Sequence, residues 1–211
     1  MSGTQAAASP QPDVRKWTRR GRMLEYFTLG WNLIEAVVAI TAAVAAASTA
    51  LWGFGLDSLI ESLSGLVLLW RLGEGEQAER REKTALRLVG ACFLILACYV
   101  ALDASLTLWH RDRPDASIVG IILAAVSLVV MPILARFKRQ AAGHLHSGAL
   151  VADSRQTDIC AYLSAILLVG LGLNAAFGWW WADPVGALLM VVLIVHEGIE
   201  ALRGETCCTE P

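Results

Sequence analysis

The 211-residue sequence predicts an all-α, polytopic membrane protein of six transmembrane helices, with both termini on the cytoplasmic side. Hydrophobic residues make up 56% of the chain and charged residues 17%, with a mean hydropathy of +0.55, a balance suited to lipid as the surrounding solvent. Six stretches reach or approach the roughly twenty apolar residues that a helix needs to cross the hydrocarbon core. Along that path only Arg111 and Arg113 fall on one side; the other fifteen Lys and Arg fall on the opposite side, which the positive-inside rule assigns to the cytoplasm.

The chain opens with a segment rich in Ala, Pro, Gln and Ser that has nothing to bury, and residues 1–22 are expected to form a disordered cytoplasmic tail. Arg15, Lys16, Arg19, Arg20 and Arg22 precede the first apolar run, which is too long for the core of a cleaved signal peptide and is expected to stay in the membrane. The six spans are expected at 23–47, 52–72, 84–109, 116–135, 148–177 and 184–202, within a membrane domain of residues 23–203. The first is dense in alanine, which favours close helix contacts in lipid. Short polar connections at 73–83, 110–115 and 136–146 separate the middle spans, and a Trp-rich turn at 178–183 precedes the last. There, Asp183-Pro184 reads as an N-cap followed by Pro at the first helical position. Residues 204–211 form a short cytoplasmic tail.

A formal charge of -2 argues against a nucleic-acid partner, which requires a concentrated basic surface. The chain carries no Gly-rich phosphate loop, nucleophile elbow or zinc-protease motif, and its polar segments are too short to build a cleft; no enzymatic activity and no permanently bound cofactor are expected. Of the five cysteines, Cys92, Cys98 and Cys160 fall in apolar stretches and Cys207 and Cys208 in the tail, without a disulfide framework.

The functional signal is carboxylate in the membrane, where each acid costs roughly 2.5 to 3.5 kcal/mol and requires a reason. Asp57 and Glu61 stand four residues apart, about 40° apart in direction around a helix, so both carboxyls leave one face. Two such groups either share a cation or retain protons and bond to neighbouring helices as neutral acids. In the fifth span Asp153, Gln156, Thr157, Cys160 and Ser164 follow a 3-4 spacing and share a face, whereas Asp158 points elsewhere. Paired carboxylates from one helix with a thiol and an amide from another supply the oxygen and sulfur ligands that zinc accepts; Asp153 or a water would fill a fourth place. Glu35, with Asn32 a turn earlier, and Asp103 are secondary candidates that also fit interhelical hydrogen bonds. His144 and His146 in the fourth connection fit either a metal-loading or a solvated role, and His196 and Glu197 lie near the inner end of the last span.

With these features the chain resembles the membrane domain of the cation diffusion facilitator, or cation efflux, family over nearly everything after Tyr26. The similarity runs through GFGLDSLIESLSGLVLLWRL, LVADSRQTDICAYLSAILLVGLGL and WWADPVGALLMVVLIVHEGIEALRG. The resemblance implies that Asp57 and Glu61 fall on the two ligand positions of the second helix. Keeping the Ala152-Asp153 register places Gln156 and Cys160 where the family carries His and Asp; a shifted register places Ser154 and Asp158 there. Either way the family's histidine is replaced. The resemblance does not extend to the family's usual cytoplasmic carboxyl-terminal domain, so dimerisation and regulation are expected to come from the membrane part. What it implies is a homodimeric, proton-coupled exporter of a divalent cation in the plasma (inner) membrane, with zinc first and manganese, iron or cobalt as other candidates. The contrasting expectation is a membrane metal-binding or partner-modulating protein that does not transport.

Overall fold

A computed structural model describes residues 12–71, 77–145 and 148–203, which form six helices and, among the described residues, no strand. They are α1 (Pro12–Ala46), α2 (Thr49–Arg71), α3 (Gln77–His110), α4 (Ile118–Leu145), α5 (Gly148–Phe177) and α6 (Ala182–Arg203). Five of them, α1 and α3 to α6, contain stretches long and apolar enough to cross a membrane. The remaining helix, α2, has 23 residues and carries Asp57 and Glu61; at about 1.5 Å per residue it extends about 35 Å, enough to cross the core. The expected tail residues 1–11 and 204–211, with Cys207 and Cys208, lie outside the described residues, as does His146.

Part of the expected tail and parts of two expected connections are helical instead: α3 already begins at Gln77, inside the expected connection at 73–83. The basic stretch from Pro12 forms the first turns of α1, and α4 runs through the expected loop at 136–146 as far as Leu145. The reason in α4 is burial: Ser127, Met131, Leu134, Lys138, Ala141 and Ala142 are all buried, so the 3-4 stripe of the span continues without interruption past its last apolar run. Pro132 sits inside this helix, where it has no N–H to offer the Leu128 carbonyl.

The helices pack as antiparallel neighbours. Here α4 lies along α5, α3 along α6 and α1 along α2, with α2 central enough to touch α1, α3, α5 and α6. Small residues permit this. Ala36, Ala39 and Ala43 are fully buried on α1, and a Cβ added at Gly55 of α2 would stand 3.2 Å from the Ala39 Cβ and 2.8 Å from Ile40. The opposite surfaces present Leu33, Val37, Ile95, Leu102, Ile122 and Val129, all exposed in the isolated chain and suited to lipid.

One end of the bundle is fastened by turn chemistry. Helices α1, α3 and α5 each end on a residue with positive φ: Ala47 at 51°, Arg111 at 59° and Gly178 at 66°. Ser48 N–H reaches the Ala43 carbonyl at 3.2 Å and Asp112 N–H the Thr107 carbonyl at 3.0 Å, each a Schellman closure, while Gly178 N–H bonds to the Asn174 carbonyl at 2.9 Å. Ser48 then caps α2, accepting at Oγ from Leu51 N–H at 3.1 Å. Asp183 corrects an expectation: it lies inside α6, and its carboxylate serves another helix, accepting from Ser48 Oγ at 2.5 Å and from Ala50 N–H at 3.4 Å. Its carboxyl oxygens thus face the positive end of α2.

Candidate functional site

Polar side chains in the bundle interior fall into three layers. The layer at the turn end contains Asp183 and Ser48, with Thr49 Oγ1 donating to Asp103 at 2.7 Å. Asp103 therefore occupies the interhelical hydrogen-bonding role that its sequence position allowed.

The middle layer is built around Glu35, which is fully buried. Its carboxylate accepts from Ser58 Oγ of α2 at 3.2 Å and from Ser127 Oγ of α4, and Cys160 Sγ of α5 stands 4.0 Å from Oε2. Four helices meet on this one side chain. Asn32, one turn along α1, is also fully buried, and neither polar atom of its side chain meets a protein partner. On α2, Asp57 and Glu61 are each 5% exposed, as expected for two acids on one inward face. Glu61 lies in the electrostatic field of Asp57, Glu35, Lys138 and Asp153, yet neither of its buried oxygens has a hydrogen-bond partner among the described residues. An orphaned buried carboxylate is costly and calls for a proton, a water or a cation. Cys160 is 2% exposed and lies in the field of Glu61, Glu35 and Asp57.

The expected surfaces of the second and fifth helices therefore face one another in the interior. Gln156 takes part through its amide, Oε1 accepting from Ser64 Oγ of α2 at 3.2 Å. Asp57, Glu61, Gln156, Cys160 and Glu35 are thus gathered along one internal seam. Asp158 stands apart from it, paired with Arg139 near the surface. Asp153 reaches the seam at its far end but is engaged by an ammonium there. Glu197 of α6 lies in the field of Asp57, whereas His196 is exposed and pairs with Glu200 at 3.2 Å. His144 stacks on Trp17 at 3.9 Å, in the last turn of α4.

The third layer joins Asp153 to two residues that were not anticipated. Lys138 of α4 is fully buried, its Nζ 2.5 Å from Asp153 Oδ2, 3.4 Å from Glu25 Oε1 and 3.2 Å from Thr157 Oγ1. Glu25 on α1 is fully buried as well. The signal for both was periodicity. Glu25, Thr28, Asn32 and Glu35 follow a 3-4-3 spacing, and Lys138 continues the stripe of α4, but a basic cluster after an apolar run reads first as a topological signal.

Carboxylates with a thiol suit a borderline-soft divalent ion, and coordination would require the groups to be deprotonated. Among the described residues no three His, Cys, Asp or Glu side chains form a preformed metal-binding group.

Residues 27–205 match the family described as the cation efflux transmembrane domain. Among curated proteins, transmembrane protein 163 of Xenopus laevis is 23% identical over 193 residues, which cover 90% of this chain and 69% of that protein. The cation-efflux pump FieF of Shewanella oneidensis is 28% identical over 113 residues, covering 54% of this chain and 36% of the pump. An uncharacterized transporter of Synechocystis is 25% identical over 194 residues, covering 88% of this chain and 63% of that protein.

Proposed function

The chain belongs to the cation efflux family, and from that premise we propose that it is a proton-coupled exporter of a divalent metal cation, with zinc the first candidate, in the plasma (inner) membrane with both termini cytoplasmic. The observation that carries the reading is the seam between α2 and α5. It holds an acid with two unpartnered buried oxygens, Glu61, a second acid four residues away, and a buried thiol facing both.

The proposed cycle uses protons and metal as alternatives. When the seam is empty, protons neutralise the buried acids. A cation arriving from the cytoplasm displaces them, because only deprotonated ligands coordinate. Opening to the other side lets incoming protons compete the metal off. Alternating access then needs a rocking of helices about a fixed interior site. Glu35 supports the step by holding α1, α2 and α4 together through its two serine partners. The oxygen and sulfur donor set favours zinc, iron or cobalt over magnesium or calcium. A homodimer, in which the membrane helices make the contact, completes the proposal.

A second reading is a membrane protein that binds metal or modulates a partner without transport. It is favoured by one observation, the absence of three converged ligands among the described residues. Reconstituted flux separates the two. Metal uptake into proteoliposomes driven by a pH gradient, falling at least about tenfold in Asp57→Asn and Glu61→Gln, supports transport. Saturable metal binding with no flux in wild type supports the alternative.

A further inference from the structure

Lys138 is difficult to account for as a source of stability. A buried ion-pair cluster gains little over apolar residues of the same volume, because desolvation offsets the attraction between its charges. Yet its ammonium is fully enclosed, held by Asp153 and Thr157 of α5 and Glu25 of α1. Its position along the bundle is specific. Lys138 lies 11 residues beyond Ser127 on α4, Glu25 lies 10 before Glu35 on α1, and Asp153 lies 7 before Cys160 on α5. At about 1.5 Å per residue, all three place the cluster roughly 10 to 16 Å from the middle layer, toward the end where α1 begins and α4 finishes. Glu61 lies between the layers and feels both Lys138 and Asp153, while its own oxygens find no partner.

We propose that Lys138 is a tethered cation that closes the route between this end of the bundle and Glu61, occupying the place through which a free cation would have to pass. Displacement of the ammonium would leave the Glu25 and Asp153 carboxyls as an oxygen pair able to accept a passing divalent ion. Opening at this end therefore means Lys138 leaving Glu25 and Asp153, and Pro132 gives α4 a missing hydrogen bond between Ser127 and Lys138 where the two halves of the helix can move separately. Lys138 acts here by positioning and excluding, not by binding metal. The inference rests on the transport reading for its purpose, but its test does not.

The buried Cys160 thiol is the reporter. In a background with Cys92, Cys98, Cys207 and Cys208 changed to serine, a small, cationic, membrane-impermeant methanethiosulfonate is applied to oriented vesicles from the Lys138 end, and modification of Cys160 is followed by mass. Lys138→Met is expected to accelerate modification by about tenfold or more, through a shift of population toward the open state, whereas Lys138→Arg keeps the protection. Because Lys138→Met leaves two buried acids uncompensated, the triple variant Lys138→Met, Glu25→Gln, Asp153→Asn removes the cluster without orphaning a charge. Unchanged protection of Cys160 in a folded triple variant overturns the proposal. Faster modification without metal flux in any variant upholds the closure and removes the transport reading instead.

Discussion

Ala47 occupies the left-handed region at φ 51°, where an L-residue pays roughly 1 to 2 kcal/mol and glycine almost nothing. It is exposed and its side chain serves no visible partner, so Ala47→Gly is expected to stabilise the protein by a few tenths to about 1 kcal/mol after the added flexibility of the unfolded chain is subtracted. Thermal unfolding in detergent measures it, and a loss of stability would contradict the turn assignment. Single residues also mark the limit of sequence reading. The inward placement of Asp57 and Glu61 is legible because two acids one helical turn apart in an apolar run are too costly to leave facing lipid. Lys138 is not, because a lysine beside Arg136 and Arg139 resembles its exposed neighbours until the opposing carboxylates of Glu25 and Asp153 are known. Asp183 reads from local spacing as a cap for its own helix; that spacing cannot reveal that the N-terminus of α2 arrives beside it.

Helices are the most legible level, since hydropathy sets their number and order, while their ends depend on partners. The last third of α4 stays helical because α1 and α5 bury it, a tertiary cause invisible to a hydropathy window. Contact between α3 and α6 depends on glycine. A Cβ at Gly90 would meet the Gly198 carbonyl oxygen at 2.7 Å and Leu202 N at 2.8 Å, both backbone atoms that cannot rotate away. Gly90→Ala is expected to destabilise by about 1 to 3 kcal/mol through forced separation of the helices. Gly143→Ala in α4 meets nothing within 4 Å, and is expected to stabilise by about 0.5 to 1 kcal/mol through helix propensity alone. Opposite signs for these two chemically identical changes, measured by unfolding midpoint, test the packing; equal signs refute it.

At the scale of the molecule, an apolar bundle encloses polar layers that connect its two ends. The layer at the turn end fastens turns and helix starts, the middle layer gathers Glu35, Ser58, Ser127 and Cys160, and the layer at the opposite end holds Lys138. Helix order and the meeting of α2 with α5 follow from pattern. The convergence of α1 and α4 on the same seam does not, because lone polar residues on separate helices reveal no mutual distance. Whether Asp57 and Glu61 hold a divalent cation against α5, as proposed, is tested by metal-dependent unfolding of the purified protein with zinc, manganese, iron and cobalt. A ligand present at 100 times its dissociation constant adds about 2.7 kcal/mol, at roughly 2 to 4 °C per kcal/mol for a chain of this size. At least one of these metals is expected to raise the midpoint by several degrees in wild type and to leave the Asp57→Asn, Glu61→Gln double variant unmoved. An equal rise in both proteins, or no rise with any metal, would contradict the proposal.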